Sequence, residues 1–179
     1  TVDIWNYTEL PIVHITTDGN APILDKENWI KGTMRIEGMG QFADLSSTAI
    51  EIRGRGNSTW DYPKKPYAIK LGSKAEVAGM PAHKRWVLLA HWNDKVTLRT
   101  ELAFWLAREY ADFDWKQGGE QVELFVNGQH MGGYFLCEHI KVDENRVDID
   151  ELDEDEVDGG YIMELDAYFD EVYKFRSPV

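Results

Sequence analysis

The stretch QVELFVNGQHMGGYFLCEHI, residues 121–140, constrains the fold more than any other part of the chain. Two apolar-alternating runs flank Asn127-Gly128, the dipeptide that best tolerates the positive φ angles of a type I′ turn, so the segment predicts an antiparallel hairpin. Val122, Leu124 and Val126 form the apolar row before the turn, and Tyr134 and Leu136, with His139 a candidate, form it after. Gly132-Gly133 marks a bulge or a close approach of another backbone. The same pattern recurs in shorter form at 10–17, 29–38, 48–53, 66–71, 85–92 and 159–166, each a β-favouring run with glycine, proline or asparagine at one end. Pro63 and Pro66 keep the connection 54–65 out of helix. One stretch has helical period: Asp94 offers an N-cap for 95–110, where Leu98, Leu102, Trp105 and Leu106 recur at helical spacing. These elements predict an α+β protein, an antiparallel or mixed sheet with one main helix laid on its face.

Composition narrows the function classes. A chain of 179 residues, 43% hydrophobic, is long enough for one domain with a real core. Its net charge of -13 argues against nucleic acid as a partner, because that affinity comes from cations neutralising phosphates. No run of about 18 apolar residues is present to span a membrane, and the first residues lack the basic and apolar regions of a signal peptide. Cys137 is the only cysteine, so neither a disulfide framework nor a thiolate zinc site is encoded. The five histidines form no HxxxH or HxH pair, and the acidic run DIDELDEDEVD places Leu152 where an EF-hand needs an oxygen ligand. No GxSxG, GxxxxGKS/T or GxGxxG motif occurs. Asn6 and Asn57 begin glycosylation acceptor triplets, which matter only in a eukaryotic secreted protein.

The charge is unevenly spread. Between Ile52 and Arg85 the cations Arg53, Arg55, Lys64, Lys65, Lys70, Lys74, Lys84 and Arg85 face only Asp61 and Glu76, while acids dominate from Glu138 to Glu171. Two readings follow: a basic and an acidic face that pair loosely, or a phosphate-handling site. In the second, Gly54 and Gly56 let successive N–H groups point at one anion, and Arg53 and Arg55 or Lys64 and Lys65 supply opposing charge. Strand alternation sends Lys70 to the face of Ala68, opposite Ile69 and Leu71, where it can line a cleft.

The blocks IRGRGNSTWDYPKKPYAIKL, GMPAHKRWVLLAHWNDKVTLRTELAFWLARE, VELFVNGQHMGGYFLCEHIKVDENRVDI and GGYIMELD, in that order over roughly residues 50 to 166, resemble the CotH family of spore-coat-protein-H-like proteins. The resemblance implies a reduced, atypical protein-kinase fold that binds ATP with Mg²⁺ or Mn²⁺ and transfers phosphate to a protein substrate. It divides the chain into lead-in strands over 1–45, similar to those of secreted bacterial members, and a kinase-like domain over 46–179 resembling a reduced N-lobe. By the same resemblance Lys70 holds the nucleotide phosphates and Arg53, Gly54, Asn57 and Ser58 form the loop near them, to which the anion-site reading of the residues adds Arg55, Gly56 and Lys64. Arg99 and either Glu101 or Glu109 orient Lys70, and Tyr134 to His139, including Glu138, meets the adenine as a hinge strand. The family's catalytic and metal-binding aspartates belong to asparagine-rich and tryptophan-aspartate motifs that do not occur before Val179. The expectation is therefore that this chain, a piece of a longer protein or a partial homologue, carries no catalytic residue, binds no certain cofactor alone and works outside the cytoplasm or at the cell surface. The rival expectation is a noncatalytic module that binds a coat protein or polymer.

Overall fold

The computed structural model describes residues 9–153, 155 and 158–164. Their dominant feature is strand alternation carried through to closure. Seven strands run β1 (Ile12–Thr17), β2 (Ile30–Glu37), β3 (Leu45–Gly54), β4 (Tyr67–Val77), β5 (Met80–Leu89), β6 (Gly119–Val126) and β7 (Gln129–Glu138), with one α-helix, α1 (Arg99–Tyr110), between β5 and β6. The strand order β1-β2-β3-β4-β5-β7-β6 closes on itself. Neighbours pair antiparallel except at the seam, where β1 lies parallel to β6 with Ile12 opposite Glu123 and Ile15 opposite Val126. Closure removes both sheet edges, and strands that alternate can then fill the barrel with one face and meet solvent with the other.

The inward face is the core. Val13, Ile15, Met34, Ile50, Ile52, Ile69, Leu71, Trp86, Leu88, Val122, Leu124, Tyr134 and Leu136 all belong to one buried cluster. Each large apolar side chain taken fully out of water stabilises the fold by about 1.5–3 kcal/mol before entropy is counted. The indole of Trp86 is fully buried and donates from Nε1 to the His83 carbonyl, 3.0 Å away, so the barrel holds its largest ring without an orphaned donor.

The hairpin forms as the sequence predicts. Asn127 and Gly128 have φ of 51° and 78°, the turn geometry for which glycine is best suited. The register shifts between Leu124 and Phe125, opposite Gly132 and His130, which leaves Met131 as the extra residue of a bulge. Asn127 also clips the seam: its Oδ1 accepts from the Thr17 N–H at 2.9 Å, its Nδ2 donates to Thr17 Oγ1 at 2.9 Å, and its N–H donates to the Ile15 carbonyl at 2.8 Å.

The expected α+β architecture, a sheet with the helix packed on it like a reduced kinase N-lobe, is overturned. The protein is mostly β, a closed barrel whose interior the strands fill themselves, and the helix adds only Phe104 to a small outer cluster of Val87, Phe135 and Cys137. Helix α1 has no buried residue. It meets the barrel through Phe104, edge-on to Phe135 at 5.3 Å, and through the Gln121 amide, which donates to the Thr97 carbonyl and to Glu101. Leu98, Leu102, Trp105 and Leu106, which gave the helix its period, are exposed. The strand expected over 159–166 does not form across 159–164, and its last two residues lie outside the described part. Residues 12–37, expected as lead-in strands, supply two of the seven staves.

Candidate functional site

The outward face of β3, β4, β5 and β7 sorts its side chains by register into three rows. The first runs beside the chain crossing at Pro66 and continues through Leu89, opposite Phe135, to Gln121. The second pairs Arg53 with Ala68, Ala68 with Val87, and Val87 with Cys137. The third pairs Lys31 with Glu51, Glu51 with Lys70, and Lys70 with Arg85. Along the line of β4 the outward positions therefore pass from Pro66 and Ala68, both buried, to the half-exposed cation Lys70, about 13 Å for four residues at roughly 3.3 Å each.

The cationic end is held by aromatic stacking and one acid. Trp29 stands just before β2 with both Arg53 and Arg85 over its ring, at 4.6 and 5.3 Å. The Arg53 Nε is buried and has no hydrogen-bond partner. Lys70 Nζ pairs with Glu51 Oε2 at 2.9 Å, with 42% of the lysine side chain exposed. The hydrogen bond from Lys70, and then its charge, hold the Glu51 carboxyl below the usual carboxylate range. Arg53, Lys70 and Arg85 outnumber that single acid, so the face keeps a positive surplus.

The apolar end opens into a recess of about 230 Å³ between the 55–66 loop and residues 89–94. Pro66, Leu89, Ala90 and Trp92 give it apolar walls, and Arg55 and Lys64 stand in its lining. Burial pulls down the pKa of both cations. Lys64 is largely committed, since its ammonium donates to the Gly133 carbonyl and sits 4.4 Å from the centre of the Tyr134 ring. The Cys137 thiol, beyond Val87 on the middle row, is pushed up to about 12 by burial, with Arg55 drawing it the other way, so it is a packing residue and no nucleophile.

The remaining predicted residues divide. Gly54 closes β3: a Cβ there would run into the Trp60 ring and the Asp25 carbonyl, and its N–H donates to that carbonyl at 2.8 Å. The Arg55 N–H donates to the Pro66 carbonyl at 3.2 Å, so both N–H groups are committed within the fold. Gly56 carries the turn, while Asn57 and Ser58 lie exposed at the loop tip. Neither helix acid reaches Lys70 in the ion pairs formed: Glu101 accepts from Gln121, and Glu109 and Arg99 are exposed, Arg99 lying 3.8 Å from Asp94.

Glu138 sits at the far end of the barrel, where Oε1 pairs with Arg146 Nη1 at 2.6 Å and Oε2 accepts from the Gly118 N–H at 2.8 Å. A larger recess of about 710 Å³ opens over this pair, lined also by Arg108, Lys116 and Glu120, but it shares no residue with the cationic row. Sequence reasoning missed Glu51, Trp29 and His91. Glu51 and Trp29 gain their roles from cross-strand register, which no local pattern carries, and His91 reads as the tail of a strand.

Among the described residues no group of three or more histidines, cysteines or carboxylates gathers to hold a metal ion, and no helix is long and apolar enough to cross a membrane. The described residues therefore do not by themselves supply a carboxylate set for Mg²⁺ or Mn²⁺.

Fold and site together define a closed β-barrel with a lysine-centred cationic strip on its exterior and an apolar recess beside it. The family model for the CotH kinase protein matches residues 52–178, more than half of the chain, and the chain belongs to that family. No curated protein matches it in a sequence search.

Proposed function

We propose that this chain is the nucleotide-binding part of a CotH-type kinase-like protein that transfers phosphate to a protein substrate at a cell surface or coat. The observation that carries the reading is the graded exterior face, apolar at Pro66 and Leu89, small at Ala68 and cationic at Arg53, Lys70 and Arg85. A nucleoside polyphosphate has the same grading from base to terminal phosphate. Lys70 and the two guanidiniums act by neutralising phosphate charge, and each charge-assisted hydrogen bond contributes about 1.5–3 kcal/mol. Glu51 keeps Lys70 extended along the face until an anion competes for it. Since transfer also needs carboxylate-held metal and a group that positions the acceptor, the chain's own contribution is binding and orientation.

Calorimetric titration of residues 1–179 with ATP, at low salt, tests the reading. Lys70→Met and Arg85→Ala should each weaken ATP by about tenfold, the equivalent of one such contact, while the exposed Lys84→Ala should leave it unchanged. Absence of ATP binding by the unaltered chain, or equal binding by the Lys70→Met/Arg85→Ala double variant, would sink it.

A noncatalytic binding module is the second reading, and the exposed apolar residues of α1 and its flanks favour it: Leu98, Leu102, Trp105, Leu106, Tyr110 and Phe113. Cosedimentation with isolated coat material that is lost in Leu102→Asp/Trp105→Asp, with ATP titration unaltered, would support that reading over the first.

A further inference from the structure

Among the side chains that line the recess, His91 is the one whose polar atoms are buried without a hydrogen-bond partner. Both ring nitrogens are buried and neither has a partner. Its neighbours in the lining are satisfied: Asn93 Nδ2 donates to the Tyr62 hydroxyl at 2.7 Å, and the Asp94 carboxylate accepts from the Arg99 and Val96 N–H groups. An imidazole in this position is costly, because a buried donor or acceptor without a partner forfeits its full hydration. It is also fixed. The ring stacks on Phe135 with centroids 5.7 Å apart, and the residue holds a φ of 50°, a backbone region in which histidine is several-fold enriched over bulkier residues.

We infer that the recess receives the base of the nucleotide, a flat uncharged nitrogen heterocycle, with the His91 imidazole reading its polar edge; this rests on the nucleotide reading given above. A neutral imidazole presents one donor and one acceptor, the complement of a heterocycle edge that carries both. The walls formed by Pro66, Leu89 and Trp92 suit a ring face. Lys64 offers a phosphate little there, since its ammonium is already held by Gly133 and Tyr134. From Pro66 the outward residues of β4 step to Ala68 and then Lys70, about 6.6 Å at a time. A base beside Pro66 thus lies about 13 Å along the strand from Lys70, so its phosphates extend toward Lys70 and Arg85. This places the base at the β5–α1 loop, beside Phe135 through the His91 ring, and away from Glu138, which is closed off by Arg146.

The test separates base from phosphate. Ring ¹⁵N–¹H spectra of the unaltered chain should show the His91 signals moving with adenosine and staying in place with inorganic tripolyphosphate. By calorimetry, His91→Ala and His91→Asn, the second keeping a side chain tolerant of positive φ, should weaken ATP by about tenfold, the worth of one buried hydrogen bond. Tripolyphosphate binding should be unaffected in both. His91 signals unmoved by saturating adenosine, or variants that bind ATP as the unaltered chain does while Lys70→Met is weakened, would overturn the base assignment and leave the phosphate strip standing. An unaltered chain that binds neither ATP nor tripolyphosphate would overturn the nucleotide reading and this inference with it.

Discussion

Arg146→Met should be the most destabilising single change at the far end of the barrel, and its cost should depend on pH. The Arg146 side chain is 0% exposed and that of Glu138 is 3% exposed, with 2.6 Å between Nη1 and Oε1. The guanidinium also lies 4.9 Å from the Trp86 ring centre and donates to the Asn145 carbonyl at 2.7 Å. Removing one partner of a buried pair strands the other charge, which costs about 3–5 kcal/mol, a large part of a stability of roughly 5–15 kcal/mol. Burial already raises the Glu138 pKa against the opposing pull of the Gly118 N–H and Arg146, and loss of the arginine raises it further. A carboxyl with a raised folded pKa stabilises fully below its unfolded pKa and loses that contribution as pH rises through the folded value. The variant's deficit should therefore grow from about pH 4.5 upward, an ordinary glutamate range. Glu138→Gln/Arg146→Met keeps an acceptor for the Gly118 N–H and removes the stranded charge, so it should be more stable than Arg146→Met alone. Urea unfolding at pH 5, 6, 7 and 8 measures all of this. A cost for Arg146→Met below about 1 kcal/mol at pH 8, or one that is the same at every pH, would refute the reasoning from a stranded buried charge.

Two further outcomes are expected. Asn127→Ala removes both side-chain bonds to Thr17 across the parallel seam and puts alanine at a φ of 51°, so chemical denaturation should show a loss of about 2–4 kcal/mol, from two hydrogen bonds and left-handed strain; an unchanged midpoint would mean that the seam does not depend on this clip. Burial depresses His14, His83, His91 and His139, so their stabilising share is complete above about pH 6.5 and falls as pH drops toward their folded values, by at most about 1.4 kcal/mol per pH unit for each proton. Melting temperature should accordingly decline from pH 7 to 5.5, and a flat profile would count against neutral buried imidazoles.

Local pattern carried every strand of the barrel but not the barrel. The β6–β7 hairpin was legible because Asn127-Gly128 and the flanking alternation are neighbours in sequence. Closure depends on β1 lying parallel to β6, with more than a hundred residues between them, and nothing in LPIVHITT says which strand it will meet. The helix shows the same limit. The N-cap is Leu98 and not Asp94, whose carboxylate nevertheless accepts from the Arg99 N–H at 3.0 Å; Thr97 at φ 60° delays the first helical residue to Arg99. Its apolar period was real and its burial was not, because period reports which residues share a face and is silent on what that face meets. Lys70 was placed on the correct side of β4 by alternation alone, yet its partner is Glu51, one strand away in register, and neither helix acid.

Closure also decides where chemistry can reside. Trp86, Tyr134 and the aliphatic side chains around them fill the barrel, so a ligand has to be met by the outward rows or by the barrel ends. The outward rows are set by a period of two residues, and a slip of one in β4 would carry Lys70 into the core and Ile69 to the surface. The pairings of Ile50 with Leu71 and Ile52 with Ile69 hold that register from inside, each residue being almost wholly buried. Burial of these four apolar side chains, about 1.5–3 kcal/mol apiece, thus fixes Lys70 and Ala68 on the outer face beside Arg85 and Val87. The core and the cationic strip are two sides of one register, which is why a change at Ile69 should disturb the strip even though its side chain never reaches the surface.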